Sequence, residues 1–266
     1  LGKPAVQSFL LSSALFWVEE LHADGLRIDN LATAVYLDDR RAPGTWSPNA
    51  KGGRENLEGF AFIQRLVKTL KSKHPAVHVI ADDSITKSTD VSSLGFDRRC
   101  DATWVDDLRF HLGLAARARA HHDLPELPTA TDVVVAIDGA AAAENLDLAA
   151  RKLFLAIAWA LPGKKLLLMS EDGAMSPTIA DLNRVYQQTA GLQGAEISRV
   201  ESGPDILAFK RGEVLVVANL SHETRTDAAV SGRWKVLLDT GRETDETSVL
   251  ESPPIPPRSA LFLVPA

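Results

Sequence analysis

Residues 2 to 22 place Leu10, Ala14, Trp17, Val18 and Leu21 at spacings of three and four, which predicts a helix with one buried stripe, entered through Pro4. After a turn ending at Gly25, Leu26-Arg-Ile28-Asp29 is too short for a second helix and reads as a buried strand with its polar residue at the C-terminal end. The beat repeats. A helix from about Arg54 to Lys73 carries Leu57, Phe60, Ile63, Leu66, Val67 and Leu70 on one face and leads to the strand Val77 to Ala81, which is followed by Asp82 and Asp83. A third unit runs from the strand Asp132 to Asp138 through an alanine-rich helix ending at Leu161 to the strand Lys164 to Glu171. Short apolar runs alternating with helices predict a parallel sheet covered by helices.

From about Ala195 the pattern changes to short segments separated by Gly and Pro: Ile206 to Lys210, Glu213 to Leu220, Trp234 to Asp239 and Ala260 to Val264. These predict a small antiparallel β module. The expected division is therefore 1–194 for the α/β part and 195–266 for the β part. The proline-rich stretch Ser252 to Arg258 reads as an extended entry into the last strand.

Composition narrows the function. The chain has 266 residues, is 45% hydrophobic and 24% charged, and carries 29 Lys+Arg against 35 Asp+Glu, so disorder and a spanning-helix design are not its theme. A net charge of -6 gives no basic field for a polyanionic backbone, so neither nucleic acid nor membrane is an expected partner. The single cysteine, Cys100, excludes an intrachain disulfide and a multi-cysteine metal cage, and suits a reducing, cytoplasmic setting.

Acids recur at the C-terminal ends of the predicted strands: Asp29, Asp82 with Asp83, Asp138 and Glu171. In a barrel or open parallel sheet those ends form the face where active sites are built, so these carboxylates converge. Paired carboxylates serve glycoside chemistry, one attacking an anomeric carbon while the other protonates the leaving oxygen, with no metal or cofactor needed. Against this, any one acid after a strand is as well explained as the cap of the next helix.

Several stretches carry a resemblance: Phe9 to Trp17, His22-Ala-Asp-Gly-Leu-Arg-Ile-Asp29, Tyr36-Leu-Asp38, Trp46-Ser-Pro-Asn49 and Gly52-Gly-Arg-Glu-Asn-Leu57. Together they resemble the glycogen (1,4-α-glucan) branching enzymes of the α-amylase superfamily, with the run from Tyr36 to Leu57 the most specific part. The resemblance implies a partial TIM (β/α)8 barrel, about strands 4 to 8, followed by a small all-β sandwich domain. It implies a retaining double displacement on an α-1,4-glucan in glycogen biosynthesis. Asp29 would be the nucleophile, Asp82 the general acid and Asp138 the residue that binds sugar hydroxyls and supports the transition state. Arg27, on the same side of its strand, would orient Asp29. Tyr36, Asn49 and Arg54 would contact substrate, and Trp46 would either stack on a sugar ring or anchor its proline-flanked loop.

Two departures bear on activity. Where the resembled family has Ala-Glu-Glu-Ser, this chain has Ala81-Asp-Asp-Ser84, one methylene shorter at each acid. Where that family has His-Asp, this chain has Ile137-Asp138. A glucan-binding pseudoenzyme is therefore an alternative. A trehalose-releasing hydrolase is another, suggested by the run Asp101 to Asp107. Other chemistries lack their motifs: no Gly-x-Ser-x-Gly elbow occurs, and His121-His122 cannot form a helical metal pair. Cys100 reads as a small buried hydrophobe. Because a whole barrel alone takes about 250 residues, the chain is expected to be part of a larger enzyme or a truncated relative, with the N-terminal half of the barrel supplied in cis or in trans.

Overall fold

A computed structural model describes residues 1–82, 91–100, 103–114, 126–128, 133–137, 146–167, 173, 175–194, 196–242 and 248–266. The chain divides into two compact units, Leu1–Asp101 and Ala102–Ala266.

In the first unit, helix α1 (Pro4–Glu19) starts on its proline. It turns Leu10, Leu11, Ala14, Leu15 and Val18 toward the core. Trp17 and Leu21, expected on that stripe, are each 52% exposed, and Phe9 and Phe16 are exposed as well. The helix is apolar nearly all round, so spacing alone cannot choose its buried side. Strand β1 (Gly25–Ile28) leads through a short helix, α2 (Leu31–Val35), and a long loop to α3 (Leu57–Lys73). The N-terminus of α3 is capped by Asn56, whose side chain accepts from the Gly59 N–H. Its buried face, Phe62, Ile63, Leu66, Val67 and Leu70, is the 3.6-residue stripe the sequence predicts. A Cβ on Gly59 would fall 1.9 Å from the Ala34 carbonyl oxygen, so glycine there lets α3 rest directly on α2. Strands β2 (His78–Ala81) and β3 (Arg98–Cys100) continue the sheet. β1 and β2 pair in parallel with Ile28 opposite Ala81, and β2 and β3 pair in parallel with Ala81 opposite Arg99.

The second unit opens with α4 (Thr103–Gly113) and a parallel pair, β4 (Val133–Ile137) and β5 (Lys164–Leu167), separated by α5 (Leu148–Ala160). Asp147 caps α5 by accepting from the Ala150 N–H at 2.8 Å. After α6 (Ser176–Gln188) and α7 (Ala190–Gln193) comes an antiparallel sheet. Its strands are β6 (Ser198–Val200), β7 (Ile206–Arg211), β8 (Val214–Asn219), β9 (Arg233–Asp239), β10 (Val249–Glu251) and β11 (Ser259–Pro265). They lie in the order β10-β9-β11-β8-β7-β6. All six residues of β8 are buried, because both faces of the sheet are covered. Leu207, Phe209, Val216, Ala218 and Phe262 join one core with Leu108, Leu153, Ile157 and Leu182 from the helices. Ile206, Ala208, Leu215, Val217 and Leu263 face a second core with Val230 and Ile255. Ile255 bridges to Arg225, so the proline-rich stretch is an extended entry into β11.

Lys165 on β5 has an unusual setting. Its ammonium donates to the Leu161 and Gly163 carbonyls, each at 2.7 Å, and lies 5.3 Å from the Tyr186 ring centroid. Burial, helped by the positive charges of Arg211 and Lys164, pushes its pKa down to about 7. The unfolded chain keeps that proton to about pH 10. Between these values the unfolded state binds more protons, so stability should rise with pH from about 7 to about 10, by on the order of 2–4 kcal/mol. Urea titrations at pH 6.5, 8 and 9.5 would read this, and Lys165→Met should flatten the rise. An equally steep rise in the variant would show that another group causes it.

Candidate active site

The register of the first unit builds the site. Ile28 and Ala81 are partners on neighbouring parallel strands, and the Asp82 N–H donates to the Ile28 carbonyl at 3.3 Å. Asp29 and Asp82 therefore leave the C-terminal ends of adjacent strands, whose axes lie about 4.8 Å apart. The Arg27 Nε donates to Asp29 Oδ1 at 2.8 Å, with the Asp29 side chain 58% exposed. Burial works against the Arg27 charge, but Asp29 and the Cys100 thiol outweigh it and hold the guanidinium above its ordinary pKa. Cys100 is 2% exposed, the buried position expected of it, but it also sits against Arg27. The β1-β2-β3 register brings that thiol to Arg27, and no spacing in the sequence signals it.

Asp82 is 7% exposed and turned inward. Its Oδ2 accepts the Asn30 N–H at 2.5 Å and its Oδ1 the Leu31 N–H at 3.2 Å. The side chain thus serves the N-terminus of α2, where Asn30 has φ 54 and makes no side-chain cap of its own. An asparagine tolerates this left-handed geometry, and an Asx directly after the strand's acid is the one hint the sequence offers. The capping reading of an acid after a strand is realised at Asp82, although the helix it caps is the one after β1.

The predicted substrate-binding residues beyond Arg27 lie on the loop between α2 and α3. Arg54 stacks 4.3 Å from the Tyr36 ring centroid and reaches Asp38 at 3.4 Å. Tyr36 and Glu55 form a β-bridge, and Tyr36 packs edge-on against Phe60. These contacts close the base of the loop. Asn49 folds its far end: Oδ1 accepts from Lys51 and Gly53, and Nδ2 donates to the Glu55 carbonyl at 2.8 Å. Trp46 is half-buried on that same loop, between exposed Thr45 and Ser47. Asp138, Asp83 and Glu171 lie outside the described residues, as do the His121-His122 pair and the Ile137 side chain. Among the described residues no group of three or more His, Cys, Asp or Glu could hold a metal ion, and no helix is long and apolar enough to cross a membrane.

Parallel strands alternating with helices, acids at the ends of β1 and β2, and an antiparallel β unit to follow define the class of protein: a partial barrel of the α-amylase type. The fold matches the alpha-amylase from H. orenii (TM-score 0.65, 14% identity, covering 99% of this chain and 65% of that one). It matches Ttha1563 from Thermus thermophilus similarly (TM-score 0.66, 18% identity, 99% and 63%). Residues 205–262 match a family described as a domain of unknown function, DUF3459. The 1,4-alpha-glucan branching enzyme of Aromatoleum aromaticum is 29% identical, over 99% of this chain and 54% of its own length. That of Thermobifida fusca is 31% identical, over 90% of this chain and 40% of its own. The chain is thus similar to the 1,4-alpha-glucan branching enzymes along most of its own length. It spans about half the length of the curated relatives it matches.

Proposed function

We propose that the chain supplies the nucleophile side of a glucan-branching site. The observation that carries this reading is the Arg27–Asp29 pair at the end of β1, beside Asp82 at the end of β2. The Asp29 carboxylate attacks C1 of a glucosyl unit, the C1–O4 bond breaks, and its electron pair leaves on O4, which takes a proton from Asp82. The glucan chain is then held as an ester on Asp29. The 6-hydroxyl of an acceptor attacks C1, gives its proton back to Asp82 and displaces Asp29, so the α configuration is kept and an α-1,6 branch is made. Arg27 orients Asp29, Asp138 binds sugar hydroxyls, and Trp46 stacks on a sugar ring. Tyr36, Asn49 and Arg54 shape the loop that presents it. In this reading, 1–194 belongs to the catalytic barrel and 195–266 to the C-terminal β domain. The N-terminal half of the barrel joins in cis or in trans, and the protein works in the cytoplasm.

One observation favours a second reading, a glucan-binding protein without turnover. Both oxygens of Asp82 accept backbone N–H groups, so delivering a proton requires one of them to leave Asn30 or Leu31. The readings separate when the chain, expressed with an upstream barrel half, is given amylose and followed by iodine stain and by new reducing ends. Loss of stain with few reducing ends supports branching, and many reducing ends mean hydrolysis. Retained binding with neither supports the second reading. If the short acid and Ile137 limit the rate, Asp82→Glu with Ile137→His should raise turnover by on the order of 10- to 100-fold. No gain in the double variant would discard that explanation.

A further inference from the structure

The second unit holds a cavity of about 330 Å3 between helices α5 and α6 and the end of β9, lined by no residue that the catalytic reading uses. Its walls are fixed before any ligand arrives. The Trp159 indole of α5 donates to the Asn183 Oδ1 of α6 at 3.2 Å, and Leu153, Leu182 and Leu238, one from each wall, share a buried core. The turn after β9 is stitched to β11. There the Thr240 N–H donates to the Ala260 carbonyl at 3.0 Å, and the Thr240 hydroxyl oxygen accepts from the Ala260 N–H at 2.9 Å. Such preorganisation lowers the ordering cost of binding.

Three cations from three separate elements line the cavity: Lys152 on α5, Arg184 on α6 and Arg242 after β9. Its two carboxylates are already engaged. Asp181 Oδ1 accepts from Arg184 Nη2 at 3.2 Å, and Asp239 Oδ1 accepts from the Gly241 N–H at 2.8 Å. Arg242 acts on the Asp239 charge through space only. Among the described residues neither Arg242 nor Lys152 makes a side-chain hydrogen bond or an ion pair. A neutral sugar would leave both of these cations without a counter-charge, whereas guanidinium forks and an ammonium match the oxygens of a tetrahedral dianion. The volume lies at the small end of ligand sites and admits one phosphate on a small body. A nucleic-acid backbone is disfavoured, because the chain's net charge of -6 gives it no attracting field. We infer that this cavity binds a phosphate dianion, free or as the monoester of a small hydroxylated molecule, on Lys152, Arg184 and Arg242. Thr178 at the rim offers a hydroxyl to the body of such an ester. The site stands whether or not the chain transfers glucan.

Isothermal titration of the full chain with inorganic phosphate and with ribose 5-phosphate tests this, with ribose and sodium chloride of equal ionic strength as controls and hydrogen exchange as a second readout. Both phosphates should bind with Kd on the order of 0.1–1 mM and slow exchange at 239–242, and neither control should. Lys152→Ala combined with Arg242→Ala should weaken binding by roughly ten- to hundredfold, the scale of losing charge-assisted hydrogen bonds. Because neither side chain has a protein partner among the described residues, the double variant should fold normally, and an unchanged melting curve checks that. A Kd for ribose 5-phosphate roughly tenfold or more below that of phosphate makes the ligand a phosphorylated small molecule, and equal values make it free phosphate. Binding undiminished in the double variant, or equal protection by ribose or chloride, overturns the site. So does the absence of both heat and protection with either phosphate at about 10 mM.

Discussion

Arg211→Met is expected to destabilise Ala102–Ala266 by about 3–5 kcal/mol, the scale of breaking a buried charged network. Arg211 on β7 is fully buried. Its guanidinium donates to the Glu196 carbonyl at 2.9 Å, to Leu192 at 3.0 Å, to Gly194 at 2.5 Å and to Ala160. These carbonyls belong to the end of α5, to α7 and to the link that follows it. One cation thus satisfies the carbonyls at two helix ends and fixes them to the first long strand of the antiparallel sheet. Burial pulls the Arg211 pKa down, so the charge is held against its own desolvation by these acceptors. Methionine matches the volume of the stem and leaves all four carbonyls without this donor. Arg211→Lys should recover part of the loss, since an ammonium offers three donors where the fork offers five. Denaturant unfolding read by near-ultraviolet dichroism measures both variants. A loss under about 1 kcal/mol for methionine would mean the carbonyls find water instead.

Asp29→Asn is expected to remove any glucan-transfer activity, by on the order of 1,000-fold or more, because an amide cannot form the glycosyl ester. Stability should hardly change. The Asp29 side chain is 58% exposed, and exposed pairs such as Arg27–Asp29 contribute about 0–1 kcal/mol. Asp82→Ala gives the contrast: it uncaps α2 and should lower the stability of Leu1–Asp101 by about 1–2 kcal/mol whatever it does to the rate. Rates from reducing-end and iodine assays, set beside melting curves, separate the two roles. Residual transfer near the parent rate in Asp29→Asn would place the nucleophile elsewhere.

The sites differ in how openly the sequence announces them. Asp29 and Arg27 are two residues apart on one strand, so alternation alone sets them on one side, and their 2.8 Å contact is local. Strand β3 has no such signal. It has three residues, two of them arginine, and no apolar run marks it. The buried side of α1 is only half legible, because a helix that is apolar nearly all round hides its own orientation.

Local periodicity and short spacings are enough for the beat of strand, acid and helix, for the change to antiparallel β structure near 195, and for the pairing of Arg27 with Asp29. One element can enforce each of these alone. The assembled fold is needed to turn both oxygens of Asp82 to Asn30 and Leu31, some 50 residues away, to lay Cys100 against Arg27, and to bury Arg211 among carbonyls. Such contacts depend on which strands become neighbours and in what register. Register is set by the burial of whole faces together, so no single segment of the sequence carries it.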